Sequence, residues 1–242
     1  MTPAHAELEV LADPDALARR VADWITAKAV AKAGAFAIAL SGGSTPRKLY
    51  QDLAGPPSRE QFPWARTHLF WGDERFVSPD DARSNYRMVR EALLADAPIP
   101  EANVHPVPTV GLSPEEAAAA YERELEAFYG AERLDPARPL FDVTLLGLGP
   151  EGHTASLFPG TAVLAERTRW AAAVIGAKAE ARITLTYPAL ESSREVAFLV
   201  AGIAKRDILA RFQRGEADLP AVGLHPVGAL RVFADRAAAG AV

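Results

Sequence analysis

His153 is the residue whose surroundings in this sequence are most typical of a catalytic group. It lies in a glycine-rich segment, residues 147–159 (GLGPEGHTASLFP), that directly follows an apolar run. Glu151 can contact one ring nitrogen, which would fix the tautomer and leave the other nitrogen free to accept a proton. The segment is expected to open a short helix, whose N-terminal dipole would lower the pKa of the imidazole and keep it neutral. A neutral imidazole suits a general base; a hydrogen-bonded structural histidine is the alternative.

A second group of charged side chains follows another apolar strand. Asp73, Glu74 and Arg75 come directly after Trp71-Gly72, and three consecutive charges would be unusual as packing residues there. The Arg75 guanidinium presents a fork of N–H donors that suits a carboxylate or an oxyanion that develops during a reaction. The alternative is a solvated loop with a local ion pair.

Residues 41–46 (SGGSTP) have the composition of an anion-binding loop. Gly42 and Gly43 would let an anion approach backbone N–H groups closely. Ser44 and Thr45 add hydroxyl donors just before a predicted helix, whose N-terminus favours a phosphate. The segment is not a Walker A loop, because the Gly-Lys-Ser/Thr ending is absent. A plain turn with a helix cap is the alternative.

Two cations occupy positions from which they could face an anion. Arg182 precedes an apolar strand, and Lys205 falls in the first turn of a predicted helix after Gly202; only five of the 26 basic residues are lysines. A cation at a helix start opposes the helix dipole unless an anion lies between them. Ordinary surface charges are the alternative. Structural roles are expected for three other histidines, His68, His105 and His225.

Strand-like and helix-like segments alternate along almost the whole chain. Helices are predicted after Asp13-Pro14, from about Pro46 to Gly55, from Ser84 through Leu94, from Ser113 to about Tyr129 and over 203–213. Strands are predicted over 36–40, 68–71, 104–107, 141–146, 170–175, 182–186, 196–201 and 230–233, with loops over 72–83 and 147–152. This alternation predicts an α/β fold: one three-layer α/β/α domain, residues 1–242, with a mainly parallel sheet. Open parallel sheets bind ligands outside the carboxyl ends of their strands, so the three loops are expected to meet there.

Composition excludes several classes of protein. The 242 residues carry a net charge of −5, which disfavours extended contact with nucleic acid. The absence of cysteine excludes disulfides, cysteine nucleophiles and iron–sulfur clusters. The scattered histidines give no reason to expect a metal, and no cofactor is expected. The sequence shows no leader and no apolar run of the roughly 20 residues that span a bilayer, so we expect a cytoplasmic chain, monomeric or homodimeric, without membrane contact.

The combination of segments resembles the 6-phosphogluconolactonase family. The matching stretches occur in the family's order and are 41–46, Gly72-Asp73-Glu74-Arg75, Ser84-Asn85-Tyr86, 147–159, 182–186 and Gly202-x-x-Lys205. The resemblance implies the fold of the glucosamine-6-phosphate deaminases and metal-free hydrolysis of a small sugar-phosphate lactone, 6-phosphoglucono-δ-lactone, to 6-phosphogluconate in the pentose phosphate pathway. The sequence departs from the family at Glu151, where aspartate is more usual, and at Ile203-Ala204, which is bulkier than expected.

The resemblance also implies a division of roles. His153 would be the general base that activates water, with Glu151 orienting it. Arg75 would stabilise the oxyanion, or hold Asp73 and Glu74 in place for it. The phosphate would be held by the 41–46 loop together with Arg182 and Lys205.

Two other functions stay open on this fold. An amino-sugar phosphate deaminase or isomerase could use Asp73 as its base, although deaminases typically carry tyrosine at the position of Arg75 and Asn-Glu-Pro near 157–159. A non-catalytic sugar-phosphate sensor would usually carry a DNA-binding domain or lack the histidine at 153.

Overall fold

Ten strands form two sheets in the computed structural model, which describes residues 6–240. The segment Met1–His5, on which the expectation of no leader partly depends, lies outside the described residues. The strands are β1 (Glu7–Leu11), β2 (Phe36–Leu40), β3 (Thr67–Trp71), β4 (Asp73–Arg75), β5 (Val104–His105), β6 (Phe141–Leu146), β7 (Ala171–Val174), β8 (Arg182–Leu185), β9 (Ser193–Val200) and β10 (Ala229–Asp235).

The main sheet has seven strands in the order β1-β10-β9-β6-β2-β3-β5, and every neighbouring pair is parallel. All residues of β2 and β6 are buried, as expected for central strands covered on both faces. The chain runs outward from β2 to β3 on one side and continues through β6 on the other. The loops that follow β2 and β6 therefore meet at the point where the strand order reverses, which is where such sheets bind ligands.

Helices cover both faces of the main sheet, so the predicted α/β/α fold is confirmed. They are α1 (Pro14–Ala31), α2 (Ser44–Ala54), α3 (Ser58–Gln61), α4 (Asn85–Val89, continued by a π-helical turn to Leu94), α5 (Pro114–Tyr129), α6 (Tyr187–Glu191), α7 (Arg206–Gln213) and α8 (Arg236–Ala239). A capping box begins α5: the hydroxyl of Ser113 accepts from the Glu116 N–H at 3.2 Å, and the Glu116 carboxylate accepts from the Ser113 N–H at 2.7 Å. No helix among residues 6–240 is long and apolar enough to cross a membrane.

The second sheet is antiparallel, with the order β4-β8-β7, and the sequence did not predict it as a separate unit. The prediction of a loop throughout 72–83 is wrong for β4, whose Asp73 and Arg75 pair with Thr184 and Arg182 of β8. The hydrophobic pattern gave no signal for this strand, because its one buried residue is Glu74. The edge strand β1 was also missed, since most of its residues are exposed.

Two buried tyrosines fix the carboxyl ends of neighbouring strands. The hydroxyl of Tyr50 in α2 donates to the carbonyl of Ser41 at 2.8 Å and accepts from its N–H at 2.9 Å. The hydroxyl of Tyr121 in α5 makes the same pair of bonds with Trp71, at 2.9 and 2.7 Å. Both loops that leave these strands therefore start from a rigid backbone position.

Candidate active site

A cavity of about 320 Å³ opens at the carboxyl edge of the main sheet, a volume typical of a small-molecule site. Its lining includes eight of the ten predicted site residues: Gly42, Gly43, Ser44, Thr45, Asp73, Arg75, His153 and Lys205. The expectation that the three loops meet at this edge is confirmed. Glu151 and Arg182 lie outside the lining.

The His153 ring packs directly on the backbone of the loop that carries it. A Cβ atom at Gly149 would lie 2.0 Å from both Cε1 and Nδ1 of the ring, so only glycine fits there. Two hydrogen bonds close the loop on itself, from the Gly149 N–H to the His153 carbonyl (2.8 Å) and from the Gly152 N–H to the Gly149 carbonyl (3.0 Å). These contacts explain why the motif around the histidine is rich in glycine.

The prediction that His153 lies at a helix N-terminus is wrong. Residues 147–161 contain no helix, and the next helical turn is Ala162–Ala165. Gly152 and Ala155 have φ angles of +79° and +46°, which a right-handed helix does not accommodate. The dipole invoked from the sequence is therefore absent from this loop.

Burial, instead of a helix dipole, keeps the imidazole neutral. Desolvation lowers the pKa of His153, and this effect outweighs the opposing influence of the Glu151 and Asp73 carboxylates. Oε2 of Glu151 lies 3.0 Å from Nδ1 of His153, but it approaches away from the N–H direction, since the buried Nδ1 has no well-aligned hydrogen bond. Glu151 therefore contacts the predicted nitrogen without forming a linear hydrogen bond to it.

The Glu151 carboxylate is held from its other side by Lys178. Nζ of Lys178 donates to Oε1 at 2.7 Å. Burial opposes ionisation of Glu151, yet the hydrogen bond from Lys178 and the neighbouring His153 lower its pKa to about 2. Sequence reasoning missed Lys178; the scarcity of lysine was the one signal that could have drawn attention to it.

Glu74 organises the second predicted loop. Its buried carboxylate accepts from the backbone N–H groups of Arg75, Asn85 and Tyr86, each at 2.7 Å. Burial raises the pKa of Glu74, although these three donors oppose that effect. The carboxylate thus fastens β4 to the start of α4 and fixes the direction of the residues on either side of it.

Asp73 and Arg75 lie on either side of Glu74 and both line the cavity. Oδ2 of Asp73 accepts from the Ser156 hydroxyl at 2.6 Å. The Arg75 guanidinium donates to the carbonyl of Arg83 and, among residues 6–240, forms no ion pair with a carboxylate. Its remaining donors are available to a ligand, which disfavours the reading of a local ion pair.

The 41–46 loop meets Asn85 at the entrance to α2. A Cβ atom at Gly42 would lie 2.0 Å from Oδ1 of Asn85, so the loop backbone approaches this side chain as closely as glycine allows. Nδ2 of Asn85 donates to the Asp73 carbonyl at 2.9 Å. Asn85 therefore joins the glycine loop to β4.

The helix α2 begins at Ser44, two residues earlier than predicted, so its N-terminus forms part of the cavity lining.

The two predicted cations differ in their placement. Nζ of Lys205 reaches the cavity, where it donates to the Leu148 carbonyl at 2.6 Å; burial lowers its pKa, and Glu151 opposes this effect. The bulkier Ile203 does not obstruct it, because that side chain is exposed. Arg182 is engaged with Glu180 at 3.3 Å and lies beside the cavity on β8, directly across from Arg75.

The other histidines have structural surroundings, as predicted for His68 and His105. Nδ1 of His68 lies 3.0 Å from Nε2 of His105, whose Nδ1 contacts Glu124 at 2.6 Å. The backbone N–H of His225 donates to Oε1 of Glu191 at 2.9 Å, and the residue lies outside the cavity lining. Across residues 6–240, no group of three or more histidine, aspartate or glutamate side chains is arranged to hold a metal ion.

The chain is similar to members of one protein family both in sequence and in structure. The profile of the family described as "Glucosamine-6-phosphate isomerases/6-phosphogluconolactonase" matches residues 12–232. The chain is 43% identical over 239 residues to the 6-phosphogluconolactonase of Synechocystis sp., covering 96% of each. Its structure is similar to that of the 6-phosphogluconolactonase from Thermotoga maritima, with a TM-score of 0.81, 31% identity and coverage of 96% of this chain and 100% of the other. A monomeric glucosamine-6-phosphate deaminase, 20% identical with a TM-score of 0.81 over 97% of this chain and 99% of the other, shares the fold.

Proposed function

Because the chain belongs to the glucosamine-6-phosphate isomerase/6-phosphogluconolactonase family, we propose that it hydrolyses 6-phosphoglucono-δ-lactone to 6-phosphogluconate with His153 as general base. The lactonase activity follows from the identity and coverage of the relatives. The roles of individual residues rest on the geometry of the cavity. The observation that carries them is the geometry: His153 shares one small cavity with Arg75, Lys205 and a helix N-terminus, and burial lowers the pKa of its imidazole.

The reaction is acyl transfer to water, and His153 supplies its proton transfers. Glu151 contacts Nδ1, which leaves Nε2 to take a proton from the attacking water as the water oxygen bonds to the lactone carbonyl carbon. The carbonyl oxygen becomes an oxyanion. When it re-forms the carbonyl, the bond from carbon to the ring oxygen breaks, and the imidazolium returns its proton to that oxygen. The products are the open-chain acid and the neutral imidazole.

Charge stabilisation falls to the cations that line the cavity. The unpaired donors of Arg75 suit the developing oxyanion. The phosphate would lie against the N-terminus of α2, with Ser44, Thr45 and Lys205 around it. Arg182 forms an ion pair with Glu180 beside the cavity. Its guanidinium can therefore bind the phosphate only after it turns away from Glu180. Binding of the remote phosphate would position the carbonyl against His153.

The deaminase alternative has less support at the level of the site. Asp73, its candidate base, accepts a hydrogen bond from Ser156 and lies in the cavity, so the position itself would allow proton abstraction. However, the residue at 75 is arginine, and residues 157–159 are Leu-Phe-Pro. A sensor without catalysis would not need an imidazole of lowered pKa in contact with the Glu151 carboxylate.

A rate measurement with freshly generated 6-phosphogluconolactone tests this proposal. The purified chain should accelerate hydrolysis well above the spontaneous rate and release no ammonia from glucosamine 6-phosphate. Ammonia release without lactone hydrolysis would favour the deaminase. Tight binding of 6-phosphogluconate with neither reaction would favour the sensor.

A further inference from the structure

A chain of three residues, joined by two contacts, extends from the cavity to the surface. Nδ1 of His153 lies 3.0 Å from Oε2 of Glu151, and Oε1 of the same carboxylate accepts from Nζ of Lys178 at 2.7 Å. Nζ of Lys178 also lies 4.9 Å from the centre of the Phe158 ring, and that ring packs 4.6 Å from the imidazole. Lys178 is therefore anchored twice against groups that touch His153.

We propose that Lys178 is a positioning residue of the lactonase site, which holds Glu151 against His153 and offsets the charge of its carboxylate. This inference rests on the proposed function. Lys178 lies on the turn between β7 and β8, outside the lining of the cavity that holds His153, so its contact with the site runs through Glu151.

The geometry explains why the carboxylate needs a second partner. Glutamate has one more rotatable bond than aspartate, and its contact with Nδ1 is not well aligned. An ammonium on Oε1 restricts the side chain, so that Oε2 stays beside the ring. The ion pair and the contact with Phe158 together restrict Lys178 more than an isolated surface pair would.

The charge of Lys178 has a separate effect. Glu151 and Asp73 both favour the protonated ring, and Lys178 opposes them. The other cations facing this group are Lys205, which lies near Glu151, and Arg75 across the cavity. Without Lys178, two carboxylates would act on the imidazole with less compensation, and a larger fraction of His153 would be protonated and unable to act as a base.

Replacement of Lys178 by methionine tests the proposal, with Lys178→Arg as the conservative variant. The matched control is Lys48→Met, which removes the same charge from an exposed pair with Asp15. The first measurement is an NMR pH titration of the His153 ring in the ligand-free chain, with the signal assigned by its loss in His153→Gln. The second is the pH profile of kcat/KM for lactone hydrolysis.

Lys178→Met should move the titration of His153 and the acid limb of the profile to higher pH. On the acid limb, a displacement of one pH unit lowers kcat/KM about tenfold at a given pH. We expect Lys178→Met to lower kcat/KM roughly threefold or more on this limb and less on the plateau. Lys178→Arg should restore both curves, and Lys48→Met should leave them unchanged. In a Glu151→Gln background, Lys178→Met should cause no further loss on the plateau, because the positioning effect passes through that carboxylate, whereas the direct effect of the Lys178 charge on the titration should remain.

Overlapping titration curves for wild type and Lys178→Met would overturn the inference, as would an equal plateau loss from Lys178→Met in the Glu151→Gln background. The titration needs no substrate, so its failure is distinct from failure of the proposed function. A wild-type chain that does not hydrolyse the lactone would remove the proposed function, and with it the catalytic meaning of Lys178, whatever the titration shows.

Discussion

The imidazole of His153 rests on the Cα of Gly149, four residues earlier in the same loop. A Cβ atom at position 149 would lie 2.0 Å from two ring atoms, far inside van der Waals contact. Because residue 149 has no side chain, the ring packs directly on the backbone of the loop, which fixes its position. This relationship links the sequence of the glycine motif to the direction of the proposed general base.

Gly149→Ala should displace the His153 ring and lower kcat about a hundredfold, the order of loss expected when a catalytic group moves by about 1 Å. The matched control on the same loop is Gly147→Ala, whose Cβ would meet only the Ser41 hydroxyl oxygen at 3.9 Å. Steady-state kinetics of both variants, with thermal unfolding to verify the fold, make the comparison. Equal losses in the two variants would show that the loop, and not the ring contact, is sensitive to a side chain.

Tyr50→Phe should loosen the glycine loop from the sheet. The hydroxyl makes two buried bonds to the Ser41 backbone, and its loss leaves that N–H and carbonyl without their partner. We expect the free energy of unfolding to fall by about 1–3 kcal/mol. We also expect KM to rise more than kcat falls, because the loop that follows Ser41 is assigned to the phosphate. Denaturant unfolding and steady-state kinetics check the two effects; a lower kcat at unchanged KM would contradict the assignment of this loop.

The sequence predicted the main sheet and most of the site because both depend on local signals. Buried strands such as β2 and β6 are uninterrupted apolar runs, and the glycine loops that follow them are distinctive. The small sheet was not predicted because β4 consists of three charged residues. Its one buried side chain, Glu74, is a carboxylate that accepts hydrogen bonds from backbone N–H groups. Periodicity cannot reveal a strand whose buried residue is a carboxylate.

The part of the site that could not be predicted depends on contacts between distant segments. Lys178 reaches Glu151 across 27 positions in sequence, and Arg182 turns to Glu180 instead of the cavity. The sequence predicts a lowered pKa for His153, and the structure agrees in direction, but the predicted cause, a helix, is excluded by the positive φ angles of the loop. Burial, which a single sequence does not report for a loop residue, supplies the cause.

The pH profile of kcat/KM should fall on the acid side as His153 takes up a proton. Because burial lowers the pKa of this ring, the limb should lie below the ordinary imidazole value of about 6.5. On the alkaline side KM should rise earlier than for an ordinary lysine, since burial also lowers the pKa of Lys205 and the neutral amine binds phosphate poorly. Rates corrected for spontaneous hydrolysis give both limbs. An acid limb above the free imidazole value would contradict this assignment.

Replacement of His153 by alanine, assayed with freshly generated 6-phosphogluconolactone, tests most directly whether this imidazole is the general base. The loss of a positioned base should lower kcat about 10²–10⁴-fold, with KM changed little because the phosphate contacts are untouched. Near-ultraviolet circular dichroism should match the wild type. A His153→Ala variant that folds normally and keeps full turnover would show that water is activated by another group.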